Sequence, residues 1–266
     1  MEEKKKCDPS EDCQSCGQTG SCSEDEKQAH REQILKENLS RIEHRIMVMS
    51  GKGGVGKSSL ARLIAREYAA AGWSVKIADL DLSQGTSFHW QARRLQNAIE
   101  PTVPVERFGS VESVLKIGDH YDLVILDGAP HSTATTLRIA QVSELVLLPT
   151  GLALDDLEPA VLLAHELVKK GVDREKLAFC LCRVGDSDIE IGEARDYLTR
   201  AGYQILPGSI PEKIAYRRAS DEGKALTETR FPSLNQRSDE LAQAIIDFIS
   251  PRKVLLDGQN TTSRAS

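Results

Sequence analysis

The stretch RIMVMSGKGGVGKSSLARLIAREYAAAG, residues 45–72, constrains the fold more than any other part of the chain. RIMVMS is a short apolar run of strand type, and KSSLARLIAREYAAAG carries Leu60, Leu63, Ile64 and Tyr68 on one helical face. Between them lie Gly51, Gly53, Gly54 and Gly56, with Val55 inside the run. A strand, a glycine-rich loop and a helix in that order turn successive backbone N–H groups toward one point, which is how a chain cradles phosphate. Lys57 then reaches the outer phosphates, and the hydroxyl of Ser58, with Ser59 beside it, is placed to bind Mg2+. The alternative is a glycine-rich turn without a ligand, and the matched flanks speak against it. One lysine suffices for such a loop, so Lys52 is an excess: either a solvated surface lysine or a charge with another use.

The rest of the chain repeats the alternation. Apolar runs RIMVMS, SVKIADL, YDLVILDG, ELVLLPT, LAFCLCRV and YQILPGSI are separated by helical stretches at 59–71, 155–170 and 189–201. Strands of that length joined by helices predict an α/β fold with a mostly parallel sheet covered on both faces. The predicted organisation is a flexible cysteine-rich tail over 1–27, a linker helix over 28–43, one domain over 44–250 ending in a helix at about 234–249, and a polar, mobile tail over 251–266.

Composition narrows the partners. With 266 residues, a net charge of -6 and 28% charged side chains, the chain is not coated in basic surface, so nucleic-acid contact would need a local patch. No apolar run approaches a membrane span and the start lacks an apolar signal segment, so a cytoplasmic protein is expected. In a reducing compartment its six cysteines are free or metal-bound rather than bridged.

Three carboxylates fall at predicted strand ends: Asp79 and Asp81 in IADLDLSQG, and Asp127 in LVILDGAP. Each by itself fits a helix cap or turn residue. Together beside the loop they fit a magnesium nucleotide site, with Asp127 holding the metal through water and Asp81 orienting the attacking water. His89 and His131 have no paired ligand or nucleophile at suggestive spacing.

KGGVGKSS, DLDLSQG and YDLVILDGAP resemble the deviant Walker A, switch I and Walker B segments of the ParA/MinD/Mrp class of P-loop ATPases, over about residues 44–250. The resemblance implies a three-layer P-loop NTPase fold, ATP and Mg2+ as cofactors, and a homodimer formed with ATP. It also implies that Lys52 crosses to the nucleotide of the facing subunit, which gives the second lysine its use. Catalytic roles then fall to Lys52, Lys57 and Asp81.

Within the class two branches compete. The body, with DLDLSQGTSFHWQARR and LPGSIPEKIAYRRASDEGKALTE, is similar to partition ATPases. That likeness implies an adenine pocket shaped by Pro211, and a DNA patch at Arg217 and Arg218 with Lys213 and Lys224 nearby, against the reading of an ordinary solvated helix face. It also implies a partner protein that stimulates hydrolysis. Cys182 stands where partition proteins usually place a base-contacting asparagine. The membrane helix of the MinD branch is missing from the tail, so no membrane partner is expected.

The amino-terminal CDPSEDCQSCGQTGSC instead resembles the cysteine tail of Mrp-type iron-sulfur carriers, whose partner is an apo iron-sulfur protein. Cys7, Cys13, Cys16 and Cys22, spaced C-x5-C-x2-C-x5-C, suit a 4Fe-4S cluster, zinc, or no metal at all. Those carriers also present a C-x-x-C near the carboxyl end; here there is only Cys180-Leu-Cys182 in an apolar strand, which reads as core. The sequence alone therefore ranks a ParA-like positioning or partition ATPase first, a carrier of the Mrp kind second, and a small-molecule kinase, which would need a substrate lid, third.

Overall fold

The computed structural model describes residues 44–82, 84–109, 114, 121–128 and 134–261. The cysteine-rich tail, the linker helix over 28–43 and His131 lie outside the described residues.

The strands are β1 (His44–Val48), β2 (Val75–Asp79), β3 (Val105–Arg107), β4 (Leu123–Asp127), β5 (Leu145–Thr150), β6 (Leu177–Val184), β7 (Gln204–Ile205) and β8 (Ile210–Pro211). The helices are α1 (Lys57–Ala70), α2 (Thr86–Gln96), α3 (Ala134–Val142), α4 (Leu154–Lys169), α5 (Asp188–Arg200), α6 (Ile214–Asp221) and α7 (Pro232–Thr261), with 3-10 turns at Arg174–Lys176 before β6 and at Leu226–Glu228 before α7. The sheet runs in the order β3-β2-β4-β1-β5-β6-β7, with β8 alongside β6, and the pairings among the described residues are parallel.

The period-2 alternation of the strands explains the three layers. Ile46 and Val48 point to one face and meet Leu60, Leu63 and Ile64 of α1, Trp90 of α2 and Leu241 and Ile245 of α7. Met47 and Met49 point to the other and meet Ile139 of α3, Leu157, Ala164 and Leu167 of α4, and Leu198 of α5. Both sides of β4 and β5 are buried, which is why those strands read as unbroken apolar runs. Truncating one such central side chain, for example Leu63→Ala, costs about 2–5 kcal/mol.

One boundary differs from the sequence expectation. The predicted last helix stops at about 249, with a mobile tail from 251, whereas α7 continues to Thr261. A single Pro251 removes one backbone donor, and the leucines after it are good helix formers, so the helical backbone carries on.

Candidate nucleotide site

The central strand β1 delivers the loop to the carboxyl edge of the sheet, and α1 leaves from it. A Cβ at Gly51 would sit 2.5 Å from the Pro159 carbonyl oxygen of α4, so only glycine lets the loop lie this close to that helix. Gly56 has φ 104° and caps α1. No side chain caps that helix and no acidic residue occupies its first turn, so its positive end is left for an anion from outside the chain. Lys57 Nζ donates to Ser50 Oγ at 2.9 Å, and Ser50 Oγ donates to the Lys52 carbonyl at 2.6 Å. Burial pushes the Lys57 pKa down, while Asp127 and Asp81 pull it the other way. A half-buried ammonium held by a hydroxyl, with carboxylates near but not in contact, fits a phosphate chain.

Asp79 and Asp127 stand level across the β2 and β4 register, but they do different work. Asp79 is fully buried, and its carboxylate accepts from the backbone N–H groups of Ser87 and Phe88 at 3.1 and 3.2 Å and of Asp81 at 3.1 Å. It therefore caps the start of α2, the plain reading of a strand-end aspartate. Asp127 receives Ser87 Oγ at 2.8 Å and the Ser58 hydroxyl. Burial raises its pKa and those two hydroxyls lower it. Ser58 in turn accepts from Thr86 Oγ1 at 2.8 Å. The set Ser58, Thr86, Ser87 and Asp127 is oxygen-only and converges beside Lys57, which suits a hard cation such as Mg2+. Asp81 is half-buried; its carboxylate accepts from the Gln84 N–H at 3.1 Å and its carbonyl from the Gly85 N–H at 2.8 Å, so it also shapes the turn that enters α2.

Beside the loop lies a cavity of about 430 Å³, lined by Gly54, Gly56, Ser59, Cys182, Pro211 and Tyr216 among others. Its size suits a nucleoside, and Pro211 is among the residues that line it. Arg183, at φ 57°, lines the same cavity and donates to the Gly54 carbonyl at 2.8 Å and to Glu212 at 2.6 Å. Cys182 packs its side chain under Gly56, and burial pushes its thiol up to about 12. Cys180 is likewise held well up, by burial first and Cys182 second. Both are core residues of β6, as the strand reading expects. The far wall of the cavity is held by α2 and the Asn97 that ends it: the carbonyls of Ser220, Glu222, Gly223 and Lys224 accept from Arg93, Asn97, Arg94 and Trp90 respectively.

Other expected residues are dispersed. Lys52 Nζ pairs with Asp156 of α4 at 2.7 Å, which raises its pKa. Arg217 and Arg218 are exposed neighbours on α6, and Arg217 borders the base cavity while Arg218 borders a separate groove toward the start of α7. Lys213 is paired with Asp186 and Lys224 with Glu222, so the four cations do not form one open patch. His89 is exposed on α2. Among the described residues no three His, Cys, Asp or Glu side chains gather into a group of metal-binding type. None of their helices is long and apolar enough to cross a membrane.

Sequence reading missed Ser50, Thr86, Ser87, Asp156 and Arg183. Only the paired hydroxyls of Thr86 and Ser87 left a trace, as polar residues opening a helix directly after DLDLSQG.

The family described as "ParA: NUBPL iron-transfer P-loop NTPase" matches residues 41–115. That span takes in the phosphate loop, Asp79 and Asp81, and makes this part of the chain similar to the ParA/MinD class of P-loop NTPases. Within the class, the iron-sulfur cluster carrier protein of Aquifex aeolicus is 26% identical over 266 residues, covering 84% of this chain and 70% of that protein. The iron-sulfur cluster carrier protein of Methanococcus maripaludis is 38% identical over 71 residues, 26% of this chain. That match spans only 25% of the methanococcal protein. In three dimensions the chain is similar to the Pyrococcus furiosus cell division ATPase MinD, with a TM-score of 0.62 at 20% identity over 77% of this chain and 99% of that one. That likeness speaks to fold.

Proposed function

We propose that the chain is a Mg2+-dependent ATPase whose nucleotide cycle governs an iron-sulfur cluster carried as cargo on Cys7, Cys13, Cys16 and Cys22, a carrier of the Mrp kind. The observation that carries this reading is the similarity to an iron-sulfur cluster carrier protein over 84% of the chain. The amino-terminal cysteines supply the thiolates such cargo needs, and Cys180 and Cys182, buried in β6, are left out. The partition reading rests on the body's segments and on a fold that the whole class shares, so it takes second place.

At the nucleotide, the loop N–H groups and Lys57 hold the phosphates and the Pro211 side of the cavity takes the base. Bound magnesium would neutralise charge between the outer phosphates, with Ser58 as ligand and Asp127 acting through water. Asp81 turns a water toward the terminal phosphorus; the water oxygen bonds to it as the bond to the bridging oxygen breaks, and ADP, inorganic phosphate and the water's proton depart. Lys52 adds its charge across the interface of an ATP-bound homodimer. The same cycle governs hand-over of the cluster to an apo-protein acceptor in the reducing cytoplasm.

Anaerobic purification with iron and sulfide analysis tests the proposal. Iron that is lost on replacing the four cysteines, and ATP-sensitive transfer to an apo-ferredoxin, are the expected results. Cluster-free protein that binds nonspecific DNA in an ATP-dependent, salt-sensitive manner would instead return the partition reading to first place.

A further inference from the structure

Arg62, in the second turn of α1, is buried at 6% exposure and belongs to none of the motifs that define the site. Its Nε donates to Ser87 Oγ at 3.2 Å, and its Nη1 donates to Ser220 Oγ at 3.0 Å. Asp127 and Asp79 lie within its electrostatic reach, Arg93 opposes it, and the Trp90 ring lies 5.7 Å away. Burial lowers the guanidinium to about 10, which leaves it charged at neutral pH. Ser220 lines the base cavity at the C-terminal turn of α6, whereas Ser87 touches the Asp127 carboxylate.

The hydroxyl arithmetic gives Arg62 its role. A serine has one proton to donate and lone pairs that accept. With Arg62 filling the acceptor side of Ser87, the Ser87 proton is aimed at Asp127. Thr86 does the same for Ser58, the second hydroxyl on that carboxylate. Two of the Arg62 donors are thereby divided between the metal end and the base end, a division that needs the planar fork of an arginine.

We propose that Arg62 is a positioning residue that joins the two ends of the nucleotide site, setting the Asp127 carboxylate through Ser87 and the inner wall of the base cavity through Ser220. It rests on the nucleotide-site reading above and adds that magnesium at one end and the base at the other are energetically coupled through a residue that touches neither.

The test is the Mg2+ dependence of binding of a fluorescent ribose-labelled ADP to the full chain. Ser220→Ala, remote from phosphate and metal, is expected to raise the half-saturating Mg2+ roughly fivefold, and Ser87→Ala to do the same. Because Ser220 reaches Asp127 only through Arg62 and Ser87, the double variant is expected to match Ser87→Ala. Ser220→Thr, which keeps the hydroxyl, restores the wild-type value, and Arg62→Lys, lacking the fork, behaves like Ser220→Ala. A Mg2+ requirement unmoved by Ser220→Ala, or single effects that multiply in the double variant, overturns the proposal while leaving nucleotide binding intact. A wild-type chain that binds no nucleotide in Mg2+ overturns the nucleotide-site reading itself, and this inference with it.

Discussion

The two ends of the nucleotide cavity are built in opposite ways. At the phosphate end Ser50, Lys57 and Ser58 come from one continuous loop and the first turn of the helix after it. At the base end the wall is assembled from β6, β8 and α6, and α6 is held in place from α2 and the Asn97 that ends it, whose side chains donate to four carbonyls between Ser220 and Lys224. A helix end needs such partners. The lesson is that the phosphate end depends on local sequence and should fail in function while the fold survives, whereas the base end depends on tertiary packing and should fail in fold first.

The largest expected effect tests the first half. Lys57→Ala removes a preorganised cation aimed at the phosphates, and ATP turnover is expected to fall by about 10²–10³. The melting temperature should stay near that of the wild type, because Lys57 gives up its bond to Ser50 and the pull of Asp127 and Asp81 but also sheds the cost of its own burial. A steady-state ATPase assay beside a thermal melt reads both; a large drop in melting temperature would erase the distinction between the two ends.

The second prediction strikes the base end. Arg94 is fully buried and holds Glu228 through two bonds, at 2.6 and 2.9 Å. Gly223 is packed so tightly on the α2 backbone there that a Cβ would collide with Arg94 and Arg93. Arg94→Ala leaves the partly buried Glu228 without its main partner and is expected to cost about 3–5 kcal/mol, a fall of about 10 °C in melting temperature. Denaturant or thermal unfolding measures it. A loss as small as that of an exposed pair would show that the wall is not held from α2.

The same ion pair makes the comparison pH-dependent. Burial alone would raise the Glu228 pKa, but the bonds from Arg94 and the Ala225 N–H, with the charges of Arg94 and Arg66, hold it below its usual 4.5. For a carboxyl depressed in the folded state, the stabilisation is present above the unfolded value and is lost as pH falls through the folded one. Urea midpoints should therefore decline below about pH 4.5 more steeply in the wild type than in Glu228→Gln. Parallel profiles would remove Glu228 from the acid response.

The contrast also explains what could be read in advance. The strand order of alternation, the loop and the Asp127 position are written in short segments, so the parallel α/β fold and the phosphate end were legible. Asp79 was legible only as one of a trio, because a cap and a metal ligand look alike until Ser87 and Phe88 are seen donating to it. Arg62, Arg94 and Glu228 were not legible: a buried arginine in a helix reads as a surface charge until its partners, more than a hundred residues away, are folded beside it. The α7 extension was missed because a proline and polar residues resemble a tail.

The smallest effect on the chain itself concerns Lys52. Its pair with Asp156 leaves the lysine side chain 48% exposed, so Asp156→Ala should leave the melting temperature unchanged. Self-association is where the change belongs. If Lys52 serves the nucleotide of a second copy, Asp156 competes for it in the single chain, and its removal shifts the ATP-bound population toward dimer. Sedimentation with Mg-ATP, with hydrolysis blocked by Asp81→Ala, reads this directly. Asp156→Ala should then dimerise at lower protein concentration than the parent, and Lys52→Ala should remain monomeric. Equal dimerisation in all three would mean that the phosphate end is complete within one chain and that the second lysine serves only the surface of α4. The local construction of that end would then extend to its whole chemistry, with nothing borrowed across an interface.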